Sequence, residues 1–127
     1  MEEKTLYEAI GGAETVRKLV EAFYPRVYAD PDLSPLFQGD MSEIMKKQEM
    51  FLTQFLGGPP LYSEAYGHPM LRYRHLPFPI TPNRAEAWLR CMRGAMDEIG
   101  LAGPGRVHFY TRLVQVAGHM VNTPDSE

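Results

Sequence analysis

The reading of one stretch decides the fold: Gly57-Gly58-Pro59-Pro60, then Leu61 to Ile80, then Thr81-Pro82. Its first four residues end whatever helix precedes them, since glycine is conformationally free and proline lacks the amide a helix needs. Its last two start another. The Thr81 hydroxyl suits an N-cap, and Pro82 has the φ of a first helical turn, where its missing N–H costs nothing. Between them lie Tyr62, Tyr66, His68, Arg72, Tyr73, Arg74 and His75, with neither helical nor strand periodicity. The expectation is a long irregular connection. Its aromatic content argues against disorder, and long ordered connections tend to carry function.

Outward from this stretch every periodic segment is helical. Leu6 to Ile10 reads as one or two turns stopped by Gly11-Gly12. From Thr15 to Tyr28 the apolar residues Val16, Leu19, Val20, Phe23, Tyr24 and Val27 recur at 3.6-residue spacing, and Asp30-Pro31 ends the run. Pro31 to Phe37 is a proline-punctuated turn of helix. Asp40 or Ser42 caps a third helix with the stripe Ile44, Met45, Gln48, Phe51, Leu52 and Phe55. Downstream, Thr81-Pro82 opens a helix that places Ala85, Trp88, Leu89, Met92, Ala95, Met96 and Ile99 inward and stops at Gly100. A last helix, Arg106 to Asn122, follows the Gly103–Gly105 turn, with the stripe Val107, Tyr110, Leu113, Val114, Ala117 and Val121. No alternating strand pattern or internal repeat breaks the series. The fold class is all-α, with four principal helices and one long connection.

The chain has 127 residues, and a length near this suits a single domain with a core of its own. Apolar residues make up 44% and charged residues 23%, the balance of a globular chain. Seven tyrosines, six phenylalanines, one tryptophan and eight methionines form an adaptable, polarisable apolar set. The net charge of −3 lacks the basic excess of a nucleic-acid binder. The single cysteine, Cys91, forbids an internal disulfide and suits a reducing compartment. No basic start leads into an apolar run, and no stretch is long enough to span a bilayer. A cytoplasmic protein without membrane insertion is the expectation.

The histidines are the first candidates for chemistry. His108 and His119 lie about 16 Å apart along one helix, too far to share a metal, and read as surface groups. His68, before Pro69, reads as a loop residue. His75 stands between Met70-Leu71-Arg72-Tyr73-Arg74 and Leu76-Pro77-Phe78-Pro79-Ile80, flanked by apolar residues and by arginines suited to anions. Cys91, beside Trp88, Leu89, Met92 and Ala95, reads as a core thiol. Phosphate-cradling glycine loops and a nucleophile elbow are absent from the sequence. A second oddity is polar groups on apolar stripes: Tyr24, Gln48 and Trp88 on three different helices. Each alone fits a core edge. Together they bring hydrogen-bond donors with no evident acceptor, and buried donors need acceptors. A ligand would supply one.

With those residues in view, the chain resembles the group II truncated haemoglobins, in the versions found in Gram-positive bacilli. The resemblance runs from Tyr7 to Asn122. It rests on Phe23-Tyr24, Gln54-Phe55-Leu56-Gly57-Gly58-Pro59, Tyr62-Ser63-Glu64, Gly67-His68-Pro69 continuing to Arg74-His75-Leu76-Pro77-Phe78, and Ala87-Trp88-Leu89-Arg90-Cys91-Met92. It implies a single truncated-globin domain over residues 1–127, a two-over-two helical sandwich around haem b. His75 matches the proximal histidine that binds the iron. Tyr24, Gln48 and Trp88 match the polar distal residues, and Phe37 an aromatic of the pocket. Lys47, Tyr62 and Arg74 fall where the family contacts the haem propionates, as hydroxyl and cationic groups suit. Ile44 stands at the distal entrance, where relatives carry a smaller residue, a departure that narrows the route.

The function implied is reversible binding of O2, with NO and CO as further ligands, at a five-coordinate iron in a polar pocket. Bound O2 is a hydrogen-bond acceptor with partial negative charge, so each donor adds about 1.5–3 kcal/mol. One such bond acting on dissociation slows release roughly 10–100-fold. That suits carriage or storage at low oxygen pressure, or detoxification of NO or peroxide, for which an external reductase is needed. The alternatives are a haem-dependent peroxidase, a redox sensor, or a haem-free helical interaction module that uses the polar stripe as its contact face.

Overall fold

A computed structural model describes residues 5–37, 39–68, 70 and 78–125. Those residues form six α-helices and a short 3-10 turn: α1 (Leu6–Ala9), α2 (Gly12–Ala29), the turn Ser34–Leu36, α3 (Met41–Phe55), α4 (Leu61–Tyr66), α5 (Pro82–Glu98) and α6 (Pro104–Met120). α2 packs against both α3 and α5, α5 packs against α6, and α1 bridges α2 and α6. Two helix pairs, α2 with α3 and α5 with α6, thus make the two-over-two sandwich.

The capping chemistry follows the sequence closely. Thr5 accepts from the Glu8 amide at 3.1 Å and starts α1. The choice between Asp40 and Ser42 falls to Asp40, whose carboxylate accepts from the Ser42 amide at 2.8 Å. Thr81 accepts from the Arg84 amide at 3.1 Å, with Pro82 at the first helical position. These bonds satisfy amides that have no partner within the helix.

Several boundaries differ from expectation. α2 begins at Gly12 rather than Thr15, because Gly11 and Gly12 (φ 116° and 70°) turn the chain straight from one helix into the next. Pro25 sits inside α2 without ending it; it lies on the exposed face, so the carbonyl it leaves unbonded faces water. α6 starts at Pro104 and ends at Met120, not Arg106 to Asn122. The connection Leu61 to Ile80 opens with a helix, α4, and so is not irregular throughout. A side-chain clamp holds it: Gln54 donates to Ser63 Oγ at 2.8 Å and accepts from the Ser63 amide at 2.9 Å. Gly58 allows the tight turn before α4, since a Cβ there would lie 2.9 Å from the Thr53 carbonyl oxygen.

The core is built from Val16, Leu19, Val20, Phe23 and Val27 of α2, Leu52 of α3, Met92, Ala95 and Met96 of α5, and Phe109 and Leu113 of α6. Each of these side chains except that of Ala95 contributes about 1.5–3 kcal/mol by leaving water. Here α6 departs from its expected face. Val107 and Val114 are exposed, at 65% and 42%, whereas Phe109 is fully buried. The inward line is Phe109, Leu113, Ala117 and Met120: Leu113 and Ala117 of the predicted stripe are buried, while Phe109, whose ring lies 6.5 Å from that of Phe55, is inward in place of Val107. Beyond α6, Asn122 ties the chain end to the segment before α5. Its amide donates to the Ile80 carbonyl at 2.9 Å, and its side chain accepts from the Ile80 amide and donates to the Phe78 carbonyl, each at 3.0 Å. Among the described residues no helix is long and apolar enough to cross a membrane.

The burial of Phe109 in place of Val107 gives a direct test. Phe109→Ala should cost about 3–5 kcal/mol of stability, and Val107→Ala about 0.5 kcal/mol or less, as measured by urea unfolding. Equal costs would return α6 to the predicted face.

Candidate functional site

Where the two helix pairs part, they leave a cavity of about 290 Å³. Its walls are mainly apolar: Leu33, Leu36 and Phe37 from the segment after α2, Ile44, Phe51, Leu52 and Phe55 from α3, Ile80 just before α5 and Ala85 in its first turn, and Leu113, Val116, Ala117 and Met120 from α6. Into this wall are set Tyr24, Gln48, Trp88, Lys47, Tyr62 and Arg84.

Helical spacing explains how each arrives. Tyr24 follows Val16 and Val20 on the buried face of α2. Gln48 lies one turn from Ile44 and from Phe51 on α3. Trp88 lies one turn from Arg84 and Ala85 on α5. An aromatic lattice then fixes the rings. Phe23 stands edge-on to Trp88 at 5.2 Å and to Tyr24 at 4.9 Å, and Tyr24 is edge-on to Phe37 at 6.1 Å. The hydrogen-bonding groups of Tyr24, Gln48 and Trp88 have no hydrogen-bond partner among the described residues. Three donors from three helices therefore line one apolar cavity with nothing among the described residues to accept from them.

Burial pushes the Tyr24 phenol well above its ordinary value, with the neighbouring Tyr28 adding to the shift. Its proton is therefore held at any physiological pH, and the group is a donor. At the rim Lys47 is exposed and sits 4.8 Å over the Tyr66 ring, while Tyr62 is buried between Phe51, at 5.9 Å, and Tyr66, at 5.1 Å. Ile44 is half-buried, its Cδ1 close against Gly39.

The structure thus brings together seven of the residues singled out from the sequence: Tyr24, Phe37, Ile44, Lys47, Gln48, Tyr62 and Trp88. His75 and Arg74 lie outside the described residues. His68, His108 and His119 are exposed and none lines the cavity. Cys91 is buried, and desolvation, followed by the nearby Asp30 carboxylate, raises its thiol pKa. Arg84 went unnoticed in the sequence. It lines the cavity while donating to the Asp32 carbonyl at 3.0 Å and the Pro79 carbonyl at 2.7 Å, so it straps the loop after α2 to the residues that precede α5. Its spacing of four from Trp88 was the available signal.

A helical sandwich around an apolar cavity with donors on one side and a cationic rim is the architecture of a globin. The sequence matches the bacterial-like globin family over residues 5–122, and the chain belongs to that family. Its relatives place it among the group II truncated haemoglobins. It is 56% identical over 121 residues to the group 2 truncated haemoglobin of Bacillus subtilis, covering 95% of this chain and 91% of that protein. The crystal structure of the group II truncated haemoglobin of Bacillus anthracis superposes with a TM-score of 0.97 at 55% identity, covering 99% of this chain and 97% of that one. A truncated oxygen-avid haemoglobin from B. subtilis superposes with a TM-score of 0.90 at 56% identity, covering 94% of this chain and 100% of that one.

Haem is the cofactor of globins, and the residues present fit it. Its flat apolar body would match the cavity walls, the cationic rim would suit its propionates, and a ligand it carried would supply the acceptor that Tyr24, Gln48 and Trp88 lack among the described residues.

The buried phenol makes a titration prediction. The unfolded chain ionises Tyr24 near pH 10, and the folded chain resists ionisation. Above that pH the unfolded state binds fewer protons, so stability falls as pH rises. In the haem-free chain, Tyr24→Phe should remove this one-proton slope above pH 10 and cost little at neutral pH, as urea unfolding on either side of pH 10 will show.

Proposed function

We propose that residues 1–127 act as one globin domain that holds haem b in this cavity, with His75 as the protein ligand of its iron, and that the chain binds O2 reversibly, with NO and CO as further ligands. When bound, haem supplies an iron with an open position for diatomic ligands. The observation that carries the reading is the set of three unpartnered donors on one apolar cavity. The Tyr24 O–H, the Gln48 N–H2 and the Trp88 N–H each have a lone pair to seek, and the outer atom of bound O2 offers one.

The other site residues serve binding and access. Lys47, Tyr62 and Arg74 hold the propionates, two of them by charge and one by a hydroxyl. Phe37 packs on Tyr24 and keeps water from the donors. Ile44 narrows the entrance beside Gly39. Charge-assisted bonds from the donors slow O2 release, which suits storage at low oxygen pressure or reaction of the held ligand with NO, and less so bulk delivery. The oxygen-avid relative from B. subtilis supports the same direction. For any cycle that consumes electrons the reductant comes from outside the chain, from a reductase in the cytoplasm.

Reconstitution with haem should yield a Soret band, and a chain that gives none is not a haem protein. In the loaded protein Tyr24→Phe and Trp88→Phe should each speed O2 release about 10–100-fold, read by stopped flow. Unchanged release in both would remove the donor argument. His75→Gly should lose the native axial ligand in resonance Raman spectra and recover one on addition of imidazole.

A further inference from the structure

Tyr62 and Tyr66 lie one turn apart on α4, so their side chains share a face. Their rings stand 5.1 Å apart, centre to centre, tilted by 46°. Tyr62 is 6% exposed and lines the cavity, whereas Tyr66 is 45% exposed. The pair therefore spans from the cofactor cavity to solvent in a single ring-to-ring step. Phenols are among the most easily oxidised side chains, and two in van der Waals contact exchange an electron readily.

The surroundings favour that use. The Gln54–Ser63 clamp fixes α4 on α3 by two hydrogen bonds, at 2.8 and 2.9 Å, and so holds the ring separation. Lys47, 4.8 Å over Tyr66, disfavours a positive ring, so oxidation there must proceed with loss of the phenolic proton. Exposure to water provides the acceptor for that proton. The distal side offers a poorer route. From Tyr24 it crosses Phe37, which is hard to oxidise, at 6.1 and 6.2 Å before it reaches Tyr28.

We propose that Tyr62 and Tyr66 form an electron relay between the cavity and the surface, through which the protein reduces hydroperoxides with electrons from small phenolic donors. The proposal rests on the haem reading above. The O–O bond of the hydroperoxide ROOH breaks, and two phenols ArOH each give up one electron and one proton: ROOH + 2 ArOH → ROH + H2O + 2 ArO•. Each electron enters at Tyr66. The Tyr66 phenol loses an electron inward through Tyr62 and its proton to water, and a donor phenol then restores both to the Tyr66 radical as O–H.

Hydrogen peroxide is added to the haem-loaded protein with a nitroso spin trap, and adducts are located by peptide mass spectrometry. The trap should mark Tyr66. Tyr66→Phe should keep the Soret band, lose the adduct on that peptide and lose most guaiacol oxidation. Tyr62→Phe, which keeps the ring packing, should weaken the Tyr66 adduct. A wild-type adduct confined to Tyr24, Tyr28 or Trp88, or Tyr66 labelling untouched by Tyr62→Phe, overturns the relay and leaves haem binding intact. A chain that takes up no haem overturns the earlier reading and the relay with it.

Discussion

Everything in this structure turns on a rule about buried polar atoms: a donor removed from water must find an acceptor. Tyr24, Gln48 and Trp88 keep to that rule only through the cavity: each comes from a separate helix, none has an acceptor among the described residues, and each leaves its polar atom open to the one shared space. A hydroxyl or amide sealed from that space without an acceptor would cost about 1–3 kcal/mol. Three such groups on one mainly apolar cavity are more than packing requires. Their convergence makes sense if the acceptor belongs to a ligand, as it would in the proposed binding of O2.

The cavity adds a second cost of the same kind. An empty apolar space of about 290 Å³ would forfeit up to roughly 7 kcal/mol at the sensitivity seen for core cavities, comparable to the whole stability of a small domain. That figure is an upper bound for a site open to solvent on one side. The compensation lies in the core of α2 and α5, where Val16, Leu19, Phe23, Met92 and Met96 pack without exposure. A well-packed block of α2 and α5 thus carries a hollow between α3 and α6. The same helix α2 serves both: Phe23 belongs to the block, and its neighbour Tyr24 to the hollow, joined edge-on at 4.9 Å.

The sequence showed the hollow through misfit rather than through a motif. Polar residues at apolar positions of a helix stripe are visible in one dimension, because the period fixes which face they share. Thr81-Pro82 and Asp40 were equally legible, since capping depends on residues adjacent in the chain. α4 was not, because six residues hold no full period and the helix depends on the Gln54 clamp from another element. The burial of Phe109 in place of Val107 was hidden for a related reason. α6 is apolar on more than one side, so only its neighbours, Phe55 among them, decide which face turns in. Arg84 was hidden because its partners, the Asp32 and Pro79 carbonyls, are backbone groups that any sequence carries.

Arg84 also shows how the two sides of the cavity are kept in register. One guanidinium bonds the loop that carries Leu33 and Phe37 and the carbonyl of Pro79, next to Ile80, while itself lining the space between them. From the other side Asn122 holds Phe78 and Ile80 by three hydrogen bonds. The residues that lead from the long connection into α5 are thus tied both to the distal loop and to the end of α6. A long side chain with a rigid fork can span two carbonyls in this way, and lysine, a point donor, cannot reproduce both bonds. The segments that wall the cavity are therefore tied together by directed bonds from the Arg84 and Asn122 side chains to backbone groups. Apolar packing alone would tend to close it.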